Sequence, residues 1–211
     1  MALTRLGALG AMLLLSGCAG LATLTAVTTP KDLYELTPKS SYDASLPRIE
    51  SQLVVDEPTA AAGLNTDRIA VKPNPFAVQY FPNSSWVDRA PLMVQTLLVE
   101  SFENTGAVRS VGREAIGITA DYTLLTDLRE FQARLSPGEG EGIVVQVQLN
   151  IKVVEEPRGL IIASESFGNT TPAASGEILD VVAAFDEALG KTMRAAVDWA
   201  VRRIAEAGDG N

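Results

Sequence analysis

The sequence predicts an α+β domain: a mainly antiparallel, partly mixed β-sheet packed by two principal helices. Three observations carry that prediction. Ile143, Val145, Val147, Leu149, Ile151 and Val153 alternate with Val144, Gln146, Gln148, Asn150, Lys152 and Val154, the period of a half-buried strand. Flanking runs at Tyr122 to Phe131 and Leu160 to Gly168 are separated from it by Gly- and Pro-containing turns, so the three form an antiparallel meander. Finally, Ile178, Val181, Val182, Phe185, Leu189, Met193, Ala196, Trp199, Ala200 and Arg203 follow helical spacing, while Asp180, Glu187, Lys191, Arg194, Asp198 and Arg202 fall opposite. A one-sided apolar stripe of that length needs a sheet to cover it.

The elements follow in order. Arg5 precedes an apolar run from Leu6 to Leu15, and small Ser16 and Gly17 precede Cys18. That is the anatomy of a secretory leader, and the run is shorter than the roughly 20 residues that cross a bilayer. Leu15-Ser16-Gly17-Cys18 resembles the bacterial lipobox, in which the cysteine thiol receives a diacylglycerol. Residues 1–17 are then a lipoprotein signal peptide and Cys18, carrying diacylglycerol and an N-acyl group, the first residue of the mature chain. Acyl chains contribute about 0.8 kcal/mol per buried methylene, and two or three hold a protein where one does not. Residues 18–30 read as a lipidated tether whose twelve residues after the cysteine reach about 40 Å at most. Residues 31–211 read as a single domain.

Within it, Leu33 to Leu36, Ile49 to Val55, Arg68 to Lys72 and Phe76 to Phe81 read as short strands, the last two bounded by Pro73, Pro75 and Pro82. Ala-rich Thr59 to Asn65 reads as a short helical turn. Asn83-Ser84-Ser85 is a helix-start signal for a helix to Asn104, with Trp86, Ala90, Met93, Leu97 and Phe102 on one face and Gly106 as its stop. Ala107 to Gly112 is another strand. The alternation from Tyr122 slips near Glu130, which predicts a bulge. Ser175 opens the last helix, which ends at Gly208.

Composition narrows the chemistry. The chain of 211 residues is 46% hydrophobic and 20% charged, a globular composition. Its net charge of −9 disfavours a nucleic-acid surface, which needs clustered Lys and Arg. It has no histidine, which removes Ser-His-Asp and Cys-His nucleophiles and His-ligated zinc. Its one cysteine, Cys18, allows neither an internal disulfide nor a cysteine metal cluster. We therefore expect no cofactor, no metal and no catalytic residue.

Asp127, Glu130, Glu139, Glu141, Glu155 and Glu156 are scattered over a strand and two turns, whereas a glycosidase needs two carboxylates facing across a cleft. A carboxylate hydrolase ranks last among the readings. Gly138-Glu139-Gly140-Glu141-Gly142 lacks the lysine and strand-to-helix setting of a phosphate loop and reads as a hairpin tip. Trp86 and Trp199 stand at core spacing, for which packing is the default over a ligand stack. Phe76, Tyr80 and Phe81, leading to Trp86, form a Pro-rich aromatic segment that either covers a sheet edge or is a partner-docking patch.

The ordered set of lipobox, Leu33-Tyr34-Glu35-Leu36, Val54-Val55-Asp56-Glu57-Pro58, Arg68-Ile69-Ala70-Val71, Tyr80 leading to Trp86, the long meander and the final helix resembles the ABC-type transport auxiliary lipoprotein family, which includes the paraquat-inducible protein C type lipoproteins. The resemblance covers essentially the whole mature chain, with Leu33 standing where a second aromatic is expected beside Tyr34. It implies a non-catalytic, periplasm-facing lipoprotein with a body related to the amino-terminal domain of TolB. It implies as partner an MCE (mammalian cell entry) type substrate-binding protein of an ABC transporter that moves lipids or other hydrophobic molecules. Ala19, where inner-membrane lipoproteins often carry Asp, points to the outer membrane. A homo-oligomer around a central partner fits such an accessory. The alternative is a periplasmic carrier holding a lipid in an apolar groove, against which stand the strict strand alternation and one-sided helix stripe.

Overall fold

A computed structural model describes residues 31–42, 45–113, 119–136 and 142–208. The expected leader, Cys18, the tether and the Glu139 and Glu141 loop lie outside the described residues. The strands are β1 (Asp32–Tyr34), β2 (Ile49–Val55), β3 (Thr59–Ala60), β4 (Arg68–Asn74), β5 (Ala77–Trp86), β6 (Val108–Arg113), β7 (Tyr122–Leu135), β8 (Ile143–Glu155) and β9 (Leu160–Pro172), and the helices α1 (Ala90–Thr105) and α2 (Ile178–Gly208). They form an α+β body with one nine-stranded mixed sheet and two helices, as the sequence predicts.

Strand β7 organises the sheet. One edge pairs along its whole length with antiparallel β8, which pairs in turn with antiparallel β9. The other edge is shared by three parallel neighbours: β2 at Tyr122 to Leu124, β3 at Asp127 and Leu128, and β4 at Ala133 and Arg134. β6 extends the sheet from β2 in parallel, while β5 joins β4 antiparallel and β1 joins β5 parallel. The predicted bulge is present, with a register shift between Leu128 and Glu130.

The helices pack against each other and the sheet, α2 over β8 and β9 and α1 over β2 and β6. Val145, Val147, Leu149, Ile151 and Val153 are buried beneath them, and Lys152 on the alternate face is exposed. The core centres on three rings: Trp86 lies 5.1 Å from Phe185 and 5.7 Å from Phe131, and Phe131 lies 5.0 Å from Phe185. Trp199 packs on Phe167 at 5.4 Å, so core packing holds for both tryptophans.

Several boundaries differ from expectation. The Asn83-Ser84-Ser85 signal starts no helix. β5 runs through Pro82 to Trp86, with Asn83 at φ 53° inside a register shift against β4, and α1 begins at Ala90 with a proline in its first turn. Asn is among the few residues that enter the left-handed region, and it makes bulges as readily as caps. Pro73 does not stop β4, because it sits where the ladder to β5 is interrupted between Val71 and Asn74 and no donor is required. Thr59 and Ala60 form β3 before a single turn in which Leu64 N and Asn65 N donate to Ala61 O at 2.8 and 3.0 Å. Gly106 ends α1 at φ 61°, its N–H donating to Glu103 O.

Candidate functional site

The parallel register of β4 on β7 brings two hairpin ends together. Lys72 stands opposite Arg134, so the β4–β5 turn at Asn74 to Ala77 lies beside the end of β7 and the start of β8. Between them is an open cleft of about 850 Å³ bordered by Lys72, Pro75, Glu130, Arg134, Leu135 and Ile143. Two separate sequence segments, the aromatic run and the Gly-Glu hairpin flanks, thus meet at one end of the molecule.

The cleft is braced by polar contacts. Lys72 Nζ lies 3.2 Å from Glu130 Oε2, which also accepts from Gln132 Nε2 at 2.5 Å. Gln132 Oε1 accepts from Phe131 N at 3.0 Å, which satisfies an otherwise buried amide. Arg134 Nη1 donates to Gln146 Oε1 at 2.6 Å. Glu130 is therefore an anchoring acceptor between two donors.

The predicted patch divides. Phe76 is 98% exposed at the turn, where its N–H donates to Asn74 Oδ1 at 3.0 Å. Tyr80 is half-buried, its hydroxyl donating to Gly63 O at 3.1 Å and its ring lying 3.6 Å beneath the Arg68 guanidinium. Phe81 is half-buried against the core. Trp86 is 1% exposed, which removes it from any docking surface and corrects that expectation: β5 turns it inward onto Phe131 and Phe185. Of the four aromatics, Phe76 alone is presented to solvent.

The described members of the carboxylate set singled out in the sequence, Asp127, Glu130, Glu155 and Glu156, each have a separate partner. Asp127 pairs with Arg129 at 3.1 Å, Glu155 pairs with Arg158, and Glu156 Oε1 accepts from Thr123 Oγ1 at 3.3 Å. No group of three metal-binding side chains occurs among the described residues, and none of their helices is long and apolar enough to cross a membrane. The sequence reading missed Lys72, Arg134 and Gln146, which carry no local motif and meet only through strand pairing.

The chain matches, over residues 34–197, the family model described as ABC-type transport auxiliary lipoprotein component. It is 30% identical over 191 residues to an uncharacterised protein of Bradyrhizobium diazoefficiens, covering 88% of this chain and 50% of that protein. The chain thus spans about half the length of that curated relative. A crystal structure of a Xanthomonas campestris protein assigned to the DUF330 family model is similar, with TM-score 0.79 and 26% identity, over 84% of this chain and 99% of that one. A second crystal structure, of an uncharacterised protein, shares the fold with TM-score 0.58 and 13% identity, over 85% of this chain and 99% of that one.

Proposed function

The chain belongs to the ABC-type transport auxiliary lipoprotein family, and from that membership we propose that it is an anchored adaptor: acyl chains on Cys18 hold it to the outer membrane, and its body docks the periplasmic MCE-type component of a lipid transporter. Residues 1–17 are the removed signal peptide, residues 18–30 the tether and the remainder the docking body. The acyl chains supply location and the folded surface supplies partner choice, with no catalytic group required. Several copies around one central partner suit this role.

The observation that carries the adaptor reading over a carrier is the continuity of the core. The buried faces of β7, β8, α1 and α2 cover one another in a single apolar cluster centred on Trp86, Phe131 and Phe185. That apolar surface is used in folding and is not left to line a lipid pocket. The cleft near Phe76 is open and lined by the Lys72–Glu130 ion pair, which does not suit it to enclose an acyl chain.

Native mass spectrometry of the delipidated body, together with a pull-down against the MCE-type protein, tests this. An empty body that captures the partner is the expected result. A co-purifying phospholipid on a body that captures nothing overturns the adaptor in favour of the carrier.

A further inference from the structure

Phe76 is the feature the adaptor role leaves unexplained. A phenylalanine that is 98% exposed contributes nothing to the fold, yet its turn is built to present it. Pro75 fixes one backbone dihedral and Asn74 Oδ1 holds the Phe76 N–H, so the ring stands on a preorganised tip that loses little entropy on contact. Leu135, 50% exposed, borders the adjoining cleft, and Arg134 beside it makes no ion pair among the described residues. An apolar tip flanked by a guanidinium that is hydrogen-bonded to the neutral Gln146 amide matches a lipid interface, with hydrocarbon for the ring and phosphate for the cation.

The length and attachment of the tether argue for that occupant. β1 runs parallel to β5, away from the tip, so the chain enters β1 from the tip side. Asp32 is level with Ser84, and Arg68 with Ser85, whereas Asn74 is level with Ala77 at the tip. Residue 32 therefore stands about 20 Å back from the tip along β4, at about 3.3 Å per residue. The twelve residues from 19 to 30 reach about 40 Å, more than enough for the tip to touch the bilayer that holds the anchor.

We propose that the Phe76 turn is a membrane-contact point, with the ring inserted at the lipid–water interface of the anchoring leaflet and Arg134 facing lipid phosphates. The proposal rests on the Cys18 anchor of the preceding reading. It leaves the surfaces remote from the tip to the transporter.

Cys18 is the only cysteine and is acylated in the mature chain, so a Phe76→Cys variant takes a nitroxide spin label at one position. The control is Leu160→Cys, 54% exposed where β9 begins at the opposite end of the sheet. Full-length lipidated protein is reconstituted into phosphatidylethanolamine–phosphatidylglycerol vesicles and isolated by flotation. Relaxation by oxygen, which concentrates in lipid, is compared with relaxation by a water-soluble nickel chelate. The oxygen-to-nickel ratio is expected to be several-fold higher at position 76 than at 160. Equal ratios on floated vesicles overturn the membrane contact alone and leave the anchor standing. Protein that fails to float overturns both. Protection of position 76 from both reagents, as a second copy or a partner protein would give, also overturns the proposal.

Discussion

Trp86 and Phe76 belong to one hairpin, and their surroundings assign them opposite roles. Trp86 is 1% exposed between Phe131 and Phe185, whereas Phe76 is 98% exposed. Truncating a buried aromatic removes its transfer free energy and leaves a cavity, so Trp86→Ala is expected to cost about 3–5 kcal/mol. Phe76→Ala, touching no core atom, is expected within about 0.5 kcal/mol of the parent. Urea denaturation of both variants checks this, and a Phe76 loss as large as that of Trp86 would contradict the exposed tip. The sequence could name the aromatics but not sort them. Residue type is the same for an anchor and a core ring, and what separates them is place: Phe76 sits in the turn before β5, whereas Trp86 ends that strand past its register shift, against the core.

Elements with strong periodicity were legible, and those governed by backbone geometry were not. β8 and α2 lie where alternation and helical spacing place them, because each buries one face against the other layer. The Asn83-Ser84-Ser85 segment failed because polar residues that cap helices also populate the left-handed region inside a bulged strand. The parallel joins of β4, β3 and β2 to β7 join residues far apart in sequence and leave no local signature. Lys72, Glu130 and Arg134 were therefore unreadable as a group, while Phe76 was visible as an exposed-aromatic candidate. The bulge can be tested directly. At φ 53° a β-branched side chain clashes with its own backbone, so Asn83→Val is expected to cost about 1–2 kcal/mol, whereas Asn83→Gly stays within a few tenths. Thermal unfolding of the pair decides it: equal melting temperatures for Val and Gly would mean that Asn83 does not hold the left-handed conformation.

At the scale of the whole molecule, the segment after β1 ties the sheet edge to both helices. Thr37 N and Oγ1 donate to Asp186 of α2 at 2.7 and 2.8 Å. Lys39 N donates to Ser101 Oγ of α1 at 3.0 Å, and Asn104 Nδ2 donates to Lys39 O at 3.1 Å. Tyr42 then packs onto the core with its hydroxyl buried and without a hydrogen-bond partner of normal geometry. Burial raises its pKa from 10.0 to about 12; nearby Asp198 adds to the rise, while Ser101 and Arg194 oppose it. The sign follows from proton binding. Between about pH 10 and 12 the unfolded chain releases the Tyr42 proton while the folded chain retains it, so stability falls as pH rises through that window and is unaffected by this group below it. Urea midpoints across the window are expected to drop less steeply for Tyr42→Phe than for the parent. Tyr122, also raised mainly by burial, stays in both proteins and contributes to the residual slope. The phenolate absorbance near 295 nm should lose its latest-titrating component in the variant. Parallel midpoint curves for the two proteins would show that the segment is not held through a neutral Tyr42, and the tie between the sheet edge and the helices would then rest on its Thr37 and Lys39 hydrogen bonds alone.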